Sequence, residues 1–286
     1  KVQYPNVRKS IYSDLKLLSF FGKQFFKGVN FEHYLEEVRK TILEETDYIK
    51  EGRNIQKFRD IFLSDEIIFP EYKESTSNEK ILTMTFLEGD HLDQMLNKGP
   101  VQKIKNKYGQ ILWNFFHENI NSSNNTFHAD VHPGNFLFCD GGKLGVIDFG
   151  CIKVFPDQFI KSCIRLVQNY LNGSHQDFLK ELEYMGFIKK VSIQSEKEKK
   201  IQILFSNLAE ILGSIYEKSI FDFGNKKFPE NLNNLFQNAM GIREIRGSEQ
   251  FIFFNRITFG LMSILMKLEA KIETSESRQI ILNADC

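Results

Sequence analysis

The sequence has few cysteines, no net charge and little that resembles a membrane-spanning segment. Its four cysteines form no CxxC pair and no spacing typical of a disulfide framework, which indicates a reducing compartment. Lysine plus arginine and aspartate plus glutamate both number 37, so nothing in the charge favours a nucleic-acid partner. A chain of 286 residues is long enough for one large domain or two lobes with ample core.

Long apolar runs and targeting signals are also missing. No run reaches the ~18–20 apolar residues that a membrane-spanning helix requires, and the most apolar segment, Phe251–Met266, is interrupted by Asn255 and Arg256. No signal or transit peptide is visible at the start. The opening residues, Lys1–Pro5, are typical of the end of a strand, so we expect a fragment whose targeting segment lies elsewhere.

The stretch Phe127–Gly150 is the most informative part of the chain. Two short apolar runs, Phe136–Phe138 and Leu144–Ile147, are joined through Gly141-Gly142. This pattern predicts a β-hairpin with a two-residue type I′ turn, because glycine adopts positive φ at little cost.

The predicted hairpin brings two polar side chains to its open end. With the two glycines at the centre of the turn, Asn135 faces Asp148, and opposed residues lie ~4.5–5.5 Å apart at Cα. Asp130 precedes Asn135 by five residues, on the loop that enters the hairpin. Carboxylate and amide oxygens suit a hard cation such as Mg²⁺ holding the phosphates of a nucleotide.

The motifs around this hairpin resemble those of a known superfamily. The pattern Asp130-x-x-x-x-Asn135, followed by a hairpin and Asp148-Phe149-Gly150, resembles the catalytic and metal loops of protein kinases. The wider wording His-Ala-Asp-x-His-Pro-Gly-Asn, with Ile-Asp-Phe-Gly after the hairpin, is similar to the UbiB/AarF/ADCK family of atypical kinase-like proteins. Val131 stands where that family usually has proline.

The resemblance implies an α+β, bilobal protein-kinase-like fold. Residues 1–89 would be an N-lobe truncated at its start, and residues 90–286 a large, mostly α-helical C-lobe. The start Lys1–Pro5 resembles the family's strand that carries a phosphate-binding lysine. The nucleotide-covering loop would then lie upstream, so we expect this fragment alone to bind nucleotide weakly.

The resemblance also implies roles for individual residues, with ATP and Mg²⁺ as cofactors. Lys1 would contact the nucleotide phosphates, and Glu45 would pair with Lys1 and orient it. Asn135 and Asp148 would be the Mg²⁺ ligands, and Asp130 would be the catalytic base. Together these five residues form the parts list of a phosphoryl-transfer site.

Further nucleotide-binding residues follow from the same resemblance. The family's Glu-x-Asp-Tyr signature falls at Glu45–Tyr48, and Asp47 within it is a predicted nucleotide-binding residue. Met84 and Phe86 lie in the predicted interlobe hinge, whose backbone would bind the adenine edge.

Hydrophobic periodicity predicts a chain rich in helices. A helix-compatible segment covers residues 10–21, and strands are predicted over Ile67–Tyr72 and Lys80–Leu87. A second Asp-Phe-Gly, at Asp222–Gly224, lacks a preceding hairpin, and we interpret it as a loop start. Longer helices are predicted over residues 30–61, 101–120, 157–171, 174–186, 195–216, 229–240, 249–269 and 274–283.

The family resemblance further implies a biological setting. It implies isoprenoid-quinone (ubiquinone) biosynthesis or lipid homeostasis in mitochondria, plastids or bacteria, with membrane association. Expected partners are a nucleotide, a lipid or quinone precursor, a membrane surface and other proteins of a complex, with no nucleic acid.

Three other interpretations stay open from the sequence. The Asp-x-x-x-x-Asn and Asp-Phe pattern also resembles aminoglycoside-phosphotransferase and choline-kinase-like enzymes. The alternation His128-x-Asp130-x-His132 is compatible with a metal-hydrolase cluster. A catalytically silent nucleotide-binding module is the third, since Ala129 replaces the arginine of ordinary protein kinases.

Overall fold

A computed structural model describes residues 1–5, 46–121, 125–189, 195–240 and 249–285. The chain divides into two units: Lys1–His91 with Gly134–Ile152, and Leu92–Pro133 with Lys153–Cys286. The first boundary is close to the predicted lobe boundary. The hairpin, however, groups with the first unit, whereas the sequence placed it in the second. The predicted helix over residues 10–21 lies outside the described residues.

The first unit contains helix α1 (Tyr48–Ile61), which ends where the sequence predicts. It begins at Tyr48 because Asp47 is its N-cap: an extended residue whose side chain accepts the Lys50 backbone N–H at 3.0 Å. The predicted continuous helix over residues 30–61 is therefore interrupted at Thr46–Asp47. Its part before residue 46 lies outside the described residues.

A three-stranded sheet, β1 (Ile67–Ile68), β3 (Phe136–Cys139) and β4 (Lys143–Val146), holds the predicted hairpin. The strand order is β1-β4-β3, with β1 parallel and β3 antiparallel to β4. All four residues of β3 are buried, so both faces of this strand are covered by other parts of the protein. Strand β2 (Thr126–His128) lies in the second unit.

The hairpin register differs from the prediction by one residue. Phe136 pairs with Val146 and Cys139 with Lys143, which leaves a three-residue turn, Asp140–Gly142. Both glycines have positive φ, 75° and 74°, so the glycine requirement was read correctly but the turn length was wrong.

The two other predicted strands of the first unit form only in part. Beyond β1, this region has isolated bridges such as Tyr72 with Met84, and a 3₁₀ turn over Glu74–Thr76. Side chains take the place of ladder partners here: the Ser77 hydroxyl accepts the Thr83 N–H at 2.9 Å. Such local side-chain bonds compete with regular sheet pairing.

The second unit is mostly helical, as the periodicity predicts. Each described helix lies within a few residues of its predicted bounds, apart from a short additional helix, α2. The helices are α2 (Leu92–Asn97), α3 (Gln102–Asn121), α4 (Asp157–Leu171), α5 (His175–Tyr184), α6 (Glu196–Gly213), α7 (Lys227–Met240), α8 (Glu249–Leu268) and α9 (Ser275–Asn283). Amphipathic faces of this length are the most reliable sequence signal.

Two small sheets were not predicted. Strand β2 pairs with β5 (Ile152–Val154), and β6 (Ile220–Asp222) pairs antiparallel with β7 (Lys271–Glu273). The second Asp-Phe-Gly therefore begins at the last residue of a strand rather than in a loop, and Asp222 forms an ion pair with Lys271. Three-residue strands are too short for an alternating pattern to reveal them.

A buried polar chain crosses the core of the second unit. Trp113 is fully buried and its indole N–H donates to the Ser277 hydroxyl at 3.0 Å. His117 lies one turn further along α3, 2.7 Å from the Tyr216 hydroxyl and 2.8 Å from the Trp113 carbonyl. These buried contacts give Trp113 and His117 a structural role.

His117 makes the stability of the second unit depend on pH. Burial lowers the pKa of His117 to about 4, against the favourable contact with the Trp113 carbonyl. The folded pKa lies below the unfolded value of about 6.5, so stability is full above pH 6.5 and is lost as pH falls towards 4. We expect a loss of about 3 kcal/mol over that window, measured by denaturant unfolding at each pH.

The matched control for this prediction is His175→Gln, since His175 is exposed on α5. His117→Gln should flatten the pH dependence between 6.5 and 4, whereas His175→Gln should leave it as in the wild type. An unchanged slope in His117→Gln would show that another group causes the acid sensitivity.

Helix α8 is long and apolar enough to cross a membrane, by length and composition alone, over Gln250–Leu268. From the sequence we expected no segment to meet this criterion, because Asn255 and Arg256 interrupt the run. Several apolar side chains of α8 are nevertheless buried within the second unit. They are Ile257, Leu261, Met262, Ile264, Leu265 and Leu268.

Candidate functional site

Lys1 is held in an extended segment, as the sequence predicts. The Leu82 N–H donates to the Lys1 carbonyl, and the Gln3 N–H to the Lys80 carbonyl, both at 2.9 Å. The Gln3 amide also donates to the Thr46 carbonyl just before α1. These bonds fix the backbone from which the Lys1 side chain extends.

The Lys1 ammonium is shared by two carboxylates. Its Nζ lies 2.9 Å and 3.2 Å from the two oxygens of Glu51, and 2.8 Å from Oδ2 of Asp148. The Glu51 side chain is only 1% exposed, whereas those of Lys1 and Asp148 are about one third exposed. One cation therefore connects helix α1 to Asp148, two residues beyond the end of β4.

The electrostatics of this cluster keep Lys1 charged. Burial disfavours its ammonium, but Glu51 and Asp148 more than offset that cost, so the pKa of Lys1 is raised. Burial raises the pKa of Glu51, opposed by the charge of Lys1. The desolvation cost falls most heavily on Glu51 because it is the fully buried partner.

Within the described residues, Glu51 is the helix carboxylate that pairs with Lys1. Glu45, which the resemblance expects in this role, lies outside the described residues, whereas Glu51 lies in the first turn of α1. A sequence signal for this was present but missed. Glu51 lies on the same helical face as Ile55 and Phe58, at steps of four and three, and a glutamate on an apolar stripe requires a charged partner.

Asp47, which the resemblance places among the nucleotide-binding residues, is the N-cap of α1. Its carboxylate accepts the Lys50 N–H at 3.0 Å. The cap fixes where the helix starts and hence the position of Glu51 in its first turn.

The Asp148-Phe149-Gly150 segment is anchored on both sides. Oδ1 of Asp148 accepts the Gly150 N–H at 3.0 Å, which leaves Oδ2 for Lys1. The Phe149 ring is fully buried and packs edge-on against Phe58, with ring centroids 5.3 Å apart. The Asn54 amide donates to the Phe149 carbonyl at 2.9 Å, so α1 holds this segment by its backbone as well.

Asn135 lies at the open end of the hairpin, but not opposite Asp148. Because the register is shifted by one residue, the Ile147 N–H donates to the Asn135 carbonyl at 3.1 Å. Asn135 ends a short 3₁₀ turn that begins at Pro133. The predicted cross-strand pairing of Asn135 with Asp148 is therefore wrong, because Ile147 rather than Asp148 lies opposite Asn135.

The oxygen donors at this end of the hairpin suit magnesium. Mg²⁺ usually keeps several waters and takes one or two protein oxygens together with the phosphates of a nucleotide. Asp148 offers a carboxylate and Asn135 an amide oxygen, both partly exposed. The residues present therefore fit a magnesium ion that a nucleotide also coordinates.

The predicted hinge segment runs from Met84 towards β3. Met84 is half-buried and bridges to Tyr72, whereas Phe86 is 87% exposed. Asp90 exchanges two backbone hydrogen bonds with Phe138, at 2.8 Å and 3.1 Å. The segment is therefore fixed at both ends, with the Phe86 side chain directed to solvent.

Asp130 lies in the second unit, on the loop after β2. The His132 N–H donates to the Asp130 carbonyl at 2.8 Å, and Ala129 is fully buried. His128 is buried and His132 is exposed. Among the residues that the structure describes, no group of three or more histidine, cysteine or acidic side chains is placed to hold a metal.

Two residues of α8 contact the Asp130 loop and were not selected from the sequence. The Arg256 guanidinium donates to Oδ1 of Asp130. Gly260, one turn later, lies directly against the Val131 backbone. The sequence signal for Arg256 was its position as a polar interruption of an otherwise apolar helix, to which no function was assigned.

Comparison with known proteins connects these features. A sequence profile described as the ABC1 atypical kinase-like domain matches residues 1–182. An uncharacterized chloroplastic aarF domain-containing protein kinase of Arabidopsis thaliana is 30% identical over 63% of this chain and 26% of its own length. Mitochondrial atypical kinase COQ8 of Saccharomyces cerevisiae is 23% identical over 96% of this chain and 55% of its own length.

A solved structure supports the fold. The complex of Rv3197 with erythromycin, from Mycobacterium tuberculosis, matches with a TM-score of 0.75 at 20% identity. The match covers 98% of this chain and 69% of that protein, which confirms the predicted α+β kinase-like fold. The chain spans only about a quarter to about half of the curated relatives described above.

Proposed function

The chain belongs to the ABC1 atypical kinase-like family, and we propose that it binds ATP with Mg²⁺ and transfers or hydrolyses the γ-phosphoryl group. The observation that carries this proposal is the Lys1 ammonium held between Glu51 and Asp148. A lysine paired with a helix glutamate and a metal-binding aspartate is the charge arrangement that phosphoryl transfer requires.

The proposed roles follow from the chemistry of each side chain. Lys1 binds the α- and β-phosphates, and Glu51 keeps it extended. Asp148 and Asn135 would hold a magnesium ion, which would neutralise charge on the phosphates. Most of the rate enhancement in such sites comes from positioning and charge neutralisation, with little covalent chemistry by the protein.

Asp130 is the proposed base. As the hydroxyl oxygen of the acceptor bonds to the γ-phosphorus, the bond from that phosphorus to the β–γ bridging oxygen breaks. ADP leaves and the hydroxyl proton passes to the Asp130 carboxylate. With water as the acceptor, the same step is ATP hydrolysis.

We further propose an organellar role in isoprenoid-quinone (ubiquinone) biosynthesis or lipid homeostasis. The support is the family and the mitochondrial or chloroplastic names of relatives at 22–30% identity. A lipid or quinone precursor, a membrane surface and partner proteins are the proposed contacts of the whole protein.

The first test is binding and turnover by the full-length protein. Saturating Mg-ATP, near 100 times its Kd, should stabilise the fold by about 2.7 kcal/mol. For a chain of this size the melting temperature should rise by roughly 5–10 °C. ATP in excess EDTA should give a much smaller shift, and phosphate release should require Mg²⁺.

A silent nucleotide-binding module is the second candidate, favoured by Ala129, which stands where ordinary protein kinases have arginine. Mg-dependent stabilisation without phosphate release, with or without candidate lipids, would support this alternative. The absence of any Mg-dependent stabilisation would reject both candidates.

A further inference from the structure

Helix α8 carries one arginine within its apolar central part, and that arginine meets the proposed base. The Nη2 group of Arg256 donates to Oδ1 of Asp130 across 126 residues of sequence. The two side chains are 44% and 31% exposed, so both stay accessible to a substrate. A guanidinium remains charged at every physiological pH and presents its donors in a rigid plane.

Gly260 brings the loop backbone against the same helix. It follows Arg256 by four residues, and residues four apart lie on one helical face. A Cβ atom at Gly260 would lie 2.2 Å from the Val131 carbonyl oxygen and 3.0 Å from the Val131 Cβ. Such distances exclude any side chain, so the glycine is what permits the close approach.

The contacts of Arg256 and Gly260 both act on the same loop. Glycine in a helix interior costs about 1 kcal/mol relative to alanine, and an arginine in an apolar helix needs a polar partner. Each residue is unfavourable for α8 considered alone, and each contacts one of two consecutive loop residues, Asp130 and Val131. The presence of both residues in α8 is explained if this helix supports the Asp130 loop.

We propose that Arg256 is a positioning residue that fixes the Asp130 carboxylate for proton transfer, with Gly260 seating the loop on α8. This inference rests on the proposed function. It gives a part in the reaction to α8, a helix that lies outside the catalytic motifs. The residue before Asp130 is alanine, and the guanidinium that contacts Asp130 comes from α8.

The test compares Arg256→Gln and Arg256→Lys in the full-length protein. Arg256→Gln should lower the turnover of Mg-ATP roughly 10- to 100-fold while its Kd for Mg-ATP stays within about twofold of the wild type. Arg256→Lys should recover part of the turnover because it retains the charge but not the planar geometry. A general loss of fold would instead lower affinity and turnover together.

A matched control lies on the same helix. Lys267 is 48% exposed and forms an ion pair with Asp93 at 2.6 Å, so Lys267→Gln also removes an α8 cation from a partly exposed pair. Lys267→Gln should keep wild-type turnover. Equal losses in Arg256→Gln and Lys267→Gln would overturn the specific role of Arg256.

Hydrogen exchange separates this inference from the proposed function. Backbone exchange over residues 127–135 should accelerate in Arg256→Gln and in Gly260→Ala, and stay unchanged in Lys267→Gln. If the wild type binds no Mg-ATP, the proposed function fails, and the exchange comparison still decides whether α8 seats the loop. Wild-type exchange in both Arg256→Gln and Gly260→Ala, together with wild-type turnover in Arg256→Gln, would reject the proposal.

Discussion

Asp148→Asn lowers the affinity of the full-length protein for Mg-ATP by at least about 100-fold while the fold stays intact. The reason lies in the two oxygens of Asp148. Oδ1 accepts the Gly150 N–H, and an asparagine oxygen can still do so. Oδ2 bonds to Lys1, and its replacement by an NH₂ group removes a negative charge and directs a donor at an ammonium.

The loss falls on metal binding above all. Magnesium prefers anionic oxygen, and Asp148 is the carboxylate at the open end of the hairpin. Lys1 would also lose one of its two carboxylate partners. Calorimetry with Mg-ATP measures the effect, and thermal unfolding without nucleotide should show a change of only a few degrees.

Asp140→Asn is the matched control, because it makes the same chemical change at the opposite end of the hairpin. Asp140 is exposed in the turn and is not a proposed ligand. We expect wild-type affinity in this variant. Retention of Mg-ATP affinity in Asp148→Asn would show that the metal is held elsewhere and that the proposed function is wrong.

The helical half of the molecule could be predicted from the sequence because its signal is local. An amphipathic segment such as α3 or α4 repeats its apolar positions over several turns, so an error at one residue changes little. Three-residue strands such as β6 contain too few residues for a period, and their pairing partner β7 lies some fifty residues away. Only tertiary contacts specify them.

The hairpin shows how a correct motif can carry a wrong register. The Gly-Gly pair predicts the reversal, but a two-residue and a three-residue turn differ only in whether Asp140 joins the turn. That choice depends on how β4 packs between β1 and β3, which the local sequence does not contain. One residue of register was enough to remove the predicted pairing of Asn135 with Asp148.

The residues of the candidate site also divide into those that the sequence identifies and those that only tertiary contacts reveal. Asp130, Asn135 and Asp148 could be selected because they belong to one contiguous motif. Glu51 and Arg256 could not be selected with confidence from spacing alone, since each meets its partner across long sequence separations, 50 and 126 residues. Both nevertheless show the same signal in the sequence, namely a charged residue within an apolar helical pattern.

Glu51→Gln weakens Mg-ATP binding roughly 10- to 100-fold, the second large effect that the structure predicts. Asp148 cannot serve Lys1 and a magnesium ion equally, so Glu51 becomes the main partner of Lys1 once the metal is bound. A hydrogen bond to a charged group contributes about 1.5–3 kcal/mol, which corresponds to this loss of affinity. The fold should tolerate the change, because glutamine has nearly the same shape and Lys1 retains Asp148 and water.

Glu71→Gln is the control for charge in the same unit, since Glu71 is about half exposed and pairs with Lys73. Exposed pairs contribute little, so this variant should bind Mg-ATP like the wild type. Calorimetry on both variants decides between Glu51 and Glu45 as the residue that orients Lys1. If Glu45→Gln weakens binding and Glu51→Gln does not, then Glu51 is a structural residue and the lysine is oriented by the acid that the sequence first indicated.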